Sequence, residues 1–261
     1  MARVHNGERS LLDEIRDCGR VRITAHWGDT SAQYLDPDSG EPAGMVGLVG
    51  QLLARDLGVK SVFIDLPWAD HIPTLLNDRA DLSIKHTNTP QRAFDVEFTV
   101  HSILCEEGRI VIRHDRGLYT ASDLNHPGRT IAVTAGASQI SHIHDHFPLA
   151  RIQEWPTAQD ALDAVAQGKA DASLHDTKIP GFLLVYSECT VLSHEDGQPR
   201  TAYVDCVHPC IKPGDPRFLN WLNNWMAFRK ASGTFERLIE QAEREYAAKQ
   251  NCIIEKASER Q

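Results

Sequence analysis

Arg92 stands in the stretch DLSIKHTNTPQRAFDVEFT, residues 81–99, which opens like a buried strand and turns polar at Lys85-His86-Thr87. These are residue types for carboxylate and proton chemistry. A guanidinium grips a carboxylate through two parallel hydrogen bonds, a geometry that an ammonium lacks. An ammonium such as Lys85 either pairs with an acid or, with its pKa lowered by burial, acts as a base. Imidazoles exchange protons near neutral pH, and His26, His86, His101 and His175 fall at or near the ends of expected strands. Side chains alternate along a strand, so if Lys85 faces a site, His86 faces away. Each residue also has an ordinary reading: Arg92 as a helix cap or a partner of Asp95, the histidines as core or surface groups.

The elements that must position these groups follow from periodicity and caps. SLLDEIRDC, residues 10–18, is expected as a helix capped by Ser10, with Leu11, Leu12 and Ile15 on one face and Gly19 as its stop. VRITA is a strand, and HWGDTSAQYLDPDSGEPAG is a loop rich in turn signals. A helix over 45–57 ends at Gly58, SVFIDL is a strand, and a helix over 68–77 turns Ile72, Leu75 and Leu76 inward. DLSI completes a strand–helix–strand–helix–strand series, the pattern of a covered parallel sheet. The series repeats after Cys105 with RIVIR, TIAVTAGAS, ARIQEW, TAQDALDAVAQG and ADASLHD, then closes with the strand AYVDCVHPCI and two helices, the second running to about residue 248 before a polar, fraying end. Phe235, Leu238, Ile239 and Ala242 share one face of that last helix and suit packing on the first unit.

Composition narrows the function classes. A chain of 261 residues with 41% hydrophobic and 24% charged residues suits two globular lobes. Its formal net charge of -9 and its lack of a basic cluster argue against nucleic acid as a partner. The N-terminal stretch lacks the apolar core of a signal peptide, so a cytoplasmic location is expected for the chain as given, and a periplasmic one if a leader has been trimmed. The six cysteines do not suggest a disulfide scaffold. Cys206, His208 and Cys210 could offer two thiols and an imidazole, but no second pair completes a metal site. They are read as thiols near a strand, with no metal expected.

In order, SLLDEIRDCGRVRI, DPDSGEPAGMVGLVGQLLARDLGV, WADHIPTLLNDRADLSI, TPQRAFDVEFT, GKADASLHD and HPCIKPGDPRFLNWLNNW resemble the bacterial family 3 solute-binding proteins, over residues 11–247. The family comprises polar amino-acid receptors of ABC importers. The resemblance implies an α/β, two-lobed type 2 periplasmic-binding-protein fold with two hinge crossings. Lobe one would span residues 1–105 and 205–261, and lobe two residues 106–204. A small amino acid or related carboxylate would sit in the cleft, with no cofactor and, if the chain is exported, a membrane permease as partner. Arg92 would hold the ligand's α-carboxylate, with Thr87 beside it. Ala137 and Ser138, after Gly136, would offer backbone N–H and hydroxyl groups to the same carboxylate, as a glycine loop opening a helix favours an anion. Asp176 would take the ammonium. Trp27 stands where the family commonly has a stacking aromatic, although the proline–aromatic pair around it is missing.

The resemblance leaves a second function open. Cyclohexadienyl dehydratases share the architecture and use a cleft acid to expel hydroxide as a carboxylate is lost. A cytosolic, metal-independent lyase or isomerase of that type would use Arg92 as anchor and Lys85, His26, His101 or Asp176 to move a proton. Lys85 replaces the small residue usual at its position, which favours a ligand with a second acidic group.

Overall fold

A computed structural model describes residues 9–28, 30–175, 186–193 and 200–258, with side chains to 249. The chain forms two compact units. One comprises Met1–Leu104 and Val207–Gln261, the other Cys105–Cys206.

Unit one begins with α1 (Leu11–Cys18), where Ser10 accepts from the Leu12 N–H and Gly19 adopts the left-handed conformation. β1 (Arg20–Ala25) is buried beyond its first residue, and it lies between two parallel neighbours, β4 (Lys60–Asp65) and β5 (Leu82–Thr87). Arg22 and Asp81 fasten β1 to the start of β5. The guanidinium donates to the carboxylate at 2.7 Å, and the Arg22 backbone N–H reaches the same group. Both residues are buried, so each supplies the charge the other needs out of water.

The loop after β1 contains a short ladder, β2 (Tyr34–Leu35) with β3 (Pro42–Ala43), and leads into α2 (Gly44–Leu57). The expected helix over 68–77 divides. Trp68–Asp70 is a 3-10 turn and only α3 (His71–Leu76) is α-helical. Pro73 lacks an N–H and fits the first turn of a helix, where none is needed. Leu75 is buried, with Ile72 and Leu76 packed against it.

β6 (Glu97–Phe98) and β12 (Tyr203–Ile211) complete the unit-one sheet in the order β4-β1-β5-β12, with β6 also on β12. β12 runs antiparallel to β5, so the sheet is mixed. Only Val207–Ile211 of β12 belong to this unit. In α6 (Pro216–Ala231) the Asp215 side chain caps the Phe218 N–H. α7 (Thr234–Ser258) is longer than expected, because the helical pattern continues past residue 248 through CIIEKAS. Phe235 and Ala242 are buried in the unit-one core, with Leu238 and Ile239 against it.

Unit two is a second mixed sheet, β7 (Leu104–Arg113), β10 (Ala172–His175), β8 (Thr130–Thr134) and β9 (Arg151–Trp155), in that order, with β11 (Cys189–Val191) on the far side of β7. β10–β8 and β8–β9 are parallel, while β7 is antiparallel to its neighbours β10 and β11. α4 (Gln139–His146) follows β8, and α5 (Ala158–Ala166) follows β9 behind a capping box of Thr157 and Asp160.

Cys206 is not a thiol: it forms a disulfide with Cys105, 101 residues away. The two residues begin and end unit two, so the bond ties that unit's ends. Cys210 is a buried free thiol, and its burial pushes its pKa up to about 12. Among the described residues, no group of three or more His, Cys, Asp or Glu could hold a metal ion, and no helix is long and apolar enough to cross a membrane.

Candidate functional site

β5 delivers three polar side chains in succession after Ile84. Lys85 and Thr87 are partly exposed, while His86 between them is buried, as strand alternation requires. The chain then turns through Thr89 and Pro90 into a short 3-10 segment, Arg92–Phe94. Thr89 is buried, and its hydroxyl accepts from the Arg92 N–H. The Arg92 guanidinium folds back and donates to the Thr87 carbonyl at 3.0 Å. Arg92 and Thr87 are therefore joined directly. One arm of the guanidinium is fixed by backbone, which reduces the side-chain freedom lost when an anion binds.

Behind this segment lies an aromatic cluster. Trp68 packs on His86 at a centroid distance of 4.4 Å and on His71 at 5.0 Å, and the two imidazoles meet edge to face at 5.5 Å. The Lys85 ammonium lies 6.0 Å from the Trp68 ring centre, at the outer limit of a cation–π contact. Burial holds the His86 pKa well below its ordinary value, and the charges of Arg92, His71 and Lys85 push the same way. Neither ring nitrogen of His86 has a hydrogen-bond partner among the described residues. His71 is depressed to about 4, chiefly by burial and then by His26. Both rings are thus neutral at pH 7, and the two cations of this segment stand over uncharged ground.

The other expected residues of unit one make contacts of their own. The His26 N–H donates to Gln33 at 3.3 Å, and the Trp27 N–H donates to Asp65 at 3.2 Å. The Trp27 ring meets Phe63 edge-on at 5.4 Å. The His101 carbonyl accepts from the Thr99 hydroxyl, and the Thr99 carbonyl is bonded to His208 Nδ1 at 2.9 Å. His208 lies opposite His86 across the β5–β12 ladder.

In unit two, β8 ends at Thr134 and Gly136 takes φ +70, a left-handed turn that glycine adopts without strain. The groups expected to hold an anion here already have partners. The Gly136 N–H donates to the Glu154 carboxylate at 3.1 Å, and the Ala137 N–H donates to the Thr134 carbonyl. The Ser138 hydroxyl donates to Asp205 at 2.5 Å. Asp205 is buried and also meets His142 Nε2 at 2.8 Å. The His142 ring stacks on Tyr203 at 4.4 Å, and the Tyr203 hydroxyl accepts from Gln139. His175 is buried at the end of β10, and Asp176 lies outside the described residues.

Sequence reasoning missed Trp68, His71, His142 and Asp205. The pair Trp68–His71 carried a legible signal, since an i, i+3 spacing places both on one helical face. Asp205 carried none, because its partners are more than sixty residues away.

Two units of mixed α/β structure, connected by two crossings of the chain, define the type 2 periplasmic-binding fold, a class that captures small solutes. The chain belongs to the bacterial extracellular solute-binding proteins, family 3, whose model matches residues 24–242. It is 24% identical over 246 residues to a cyclohexadienyl dehydratase of Pseudomonas aeruginosa, covering 89% of this chain and 86% of the relative. It is 26% identical over 234 residues to the glutamate-binding protein GluB of Corynebacterium glutamicum, covering 85% and 77%. Among solved structures it resembles the ancestral amino acid-binding protein AncCDT-1, a precursor of cyclohexadienyl dehydratase, with a TM-score of 0.75, 27% identity and coverage of 89% and 99%.

Proposed function

We propose that the chain captures an amino acid or closely related carboxylate carrying a second acidic group, with Arg92 and Thr87 on the α-carboxylate and Lys85 on the second acid. The observation that carries this reading is the Arg92–Thr87 contact, which organises a guanidinium on the same segment as a second cation, Lys85. Neutral His71 and His86 support it, since the charge offered to a ligand there comes from the arginine and the lysine. The resemblance to GluB points the same way. Calorimetry with L-glutamate, L-aspartate, L-glutamine and L-arginine tests it. The acidic pair should bind at least about tenfold more tightly than the neutral or basic one, as expected for one added charge-assisted contact. Equal affinities would remove Lys85 from selection.

The Cys105–Cys206 disulfide supports an oxidising compartment, the periplasmic alternative rather than the cytoplasmic one. A membrane permease of an ABC importer is the partner that fits such a receptor. A second reading, a lyase using Lys85, His26, His101 or Asp176, draws on the similarity to a cyclohexadienyl dehydratase. The appearance of aromatic absorbance from a cyclohexadienyl acid would support the lyase reading. Its absence alongside tight amino-acid binding would support the receptor.

A further inference from the structure

Arg217, Asn220, Trp221 and Asn224 fall at i, i+3, i+4 and i+7 on α6 and so share one face. A helix turned onto its neighbours normally presents apolar residues at this spacing. This face presents a guanidinium, two amides and an indole instead. It lines a groove of about 490 Å³, whose other walls include Leu12 and Arg16 of α1 and Leu57 at the end of α2. That volume falls in the range of small-molecule pockets, roughly 300–1,000 Å³. All of these residues belong to unit one. The acids that could neutralise Arg16 are committed elsewhere. Asp13, one turn before it, takes one nitrogen of Arg217 at 2.5 Å, and Asp17 pairs with Arg9. Asp56, also on the groove wall, accepts from the Trp225 indole at 2.8 Å and from Arg229 at 2.9 Å. The Arg16 side chain has no hydrogen bond or ion pair among the described residues, and neither has the Trp221 indole N–H. The groove therefore offers unspent positive charge in a chain whose formal net charge is -9. Its apolar wall is the half-buried Trp221 ring with Leu12 and Leu57.

We propose that this groove is a second binding site, for a small aromatic carboxylate. Arg16 and the open nitrogens of Arg217 take the carboxylate, whose two oxygens match a guanidinium fork. The aromatic ring lies against Trp221, Leu12 and Leu57, where a flat apolar surface gains most from burial. Asn224 donates to the Asn220 side-chain oxygen at 3.3 Å, which leaves the Asn220 amide protons to donate at the rim. A cationic ligand is repelled by the two arginines, and an aliphatic acid forgoes the ring contact. None of Lys85, Thr87 and Arg92 takes part, so the site stands or falls independently of the proposed function.

The indole N–H signal of Trp221 in proton–nitrogen NMR of the full-length protein, assigned by its loss in Trp221→Phe, tests the proposal. Phenylacetate should shift this signal saturably below about 10 mM. It should bind at least about tenfold more tightly than benzylamine, which reverses the charge, and about threefold more tightly than cyclohexylacetate, which lacks the aromatic ring. Arg16→Gln removes an exposed charge, and Asn224→Asp adds an opposing one on the α6 face. Each should stay folded by circular dichroism and weaken phenylacetate at least about threefold. Both variants should bind L-glutamate as the wild type does in calorimetry, and Arg92→Ala should keep its phenylacetate affinity. A missing or unsaturable shift, equal affinity for benzylamine or cyclohexylacetate, or wild-type phenylacetate affinity in either groove variant would overturn the site. So would loss of the phenylacetate shift in folded Arg92→Ala. If the wild type binds none of the amino-acid probes, the proposed function fails, and the phenylacetate titration still decides the groove.

Discussion

Acid should weaken unit one through His71, and the size of the effect follows from its burial. The ring is 2% exposed, packed between Trp68 and His86, and holds its proton only near pH 4 against an ordinary value of 6.5. The unfolded chain takes up that proton near 6.5, so between these values protonation favours unfolding. Stability is intact above about pH 6.5 and is lost as pH falls towards 4. The gap is worth about 3 kcal/mol at about 1.36 kcal/mol per pH unit, of which about 2.5 kcal/mol is lost by about pH 4.5. His86 is depressed in the same direction and adds to the loss. Urea unfolding followed by Trp fluorescence at about pH 7.5 and pH 4.5 measures it. His71→Phe keeps an aromatic ring in the cluster and removes the titration. The wild type should lose about 2.5 kcal/mol more than this variant over the interval. Equal losses would refute the assignment of the acid sensitivity to His71.

Three further outcomes follow from the same geometry. Arg92→Ala should leave the protein folded and weaken L-glutamate binding by about 2–5 kcal/mol, measured by calorimetry, because a desolvated ligand carboxylate loses its charged partner. Lys85→Met keeps the stem and removes the charge, so competition binding should show lost affinity for diacidic ligands and retained affinity for monocarboxylates that Arg92 holds. Turnover that collapses while binding survives would instead favour the lyase reading. Gly108→Ala places a methyl group against the Tyr203 ring and should destabilise unit two by about 1–3 kcal/mol, read by chemical denaturation with hydrogen exchange locating the loss.

What could be read from the sequence was local. α1 was legible because Ser10, the spacing of Leu12 and Ile15, and Gly19 all act within one short segment. α5 was legible for the same reason, with Thr157 and Asp160 capping each other. On β5, alternation separated Lys85 from His86, and the burial of His86 follows it. The groups that were not legible depend on chain topology. Cys105 meets Cys206 because β7 and β12 carry the chain into and out of unit two, a fact no spacing encodes. Ser138 looked like a donor waiting for an anion, yet its proton goes to Asp205, brought there by a strand 67 residues later. Burial of His71 likewise depends on β5 and Trp68 closing over the short helix it begins.

The central claim is capture of an acidic amino acid by Arg92, and native mass spectrometry of the purified protein tests it most directly. L-glutamate or L-aspartate, each offered at saturation in the presence of excess L-glutamine and L-arginine, should appear as one bound equivalent on the wild type and be missing from folded Arg92→Ala. Retention of the acidic ligand by Arg92→Ala at the wild-type level, or exclusive retention of the neutral or basic competitor by the wild type, would contradict the account.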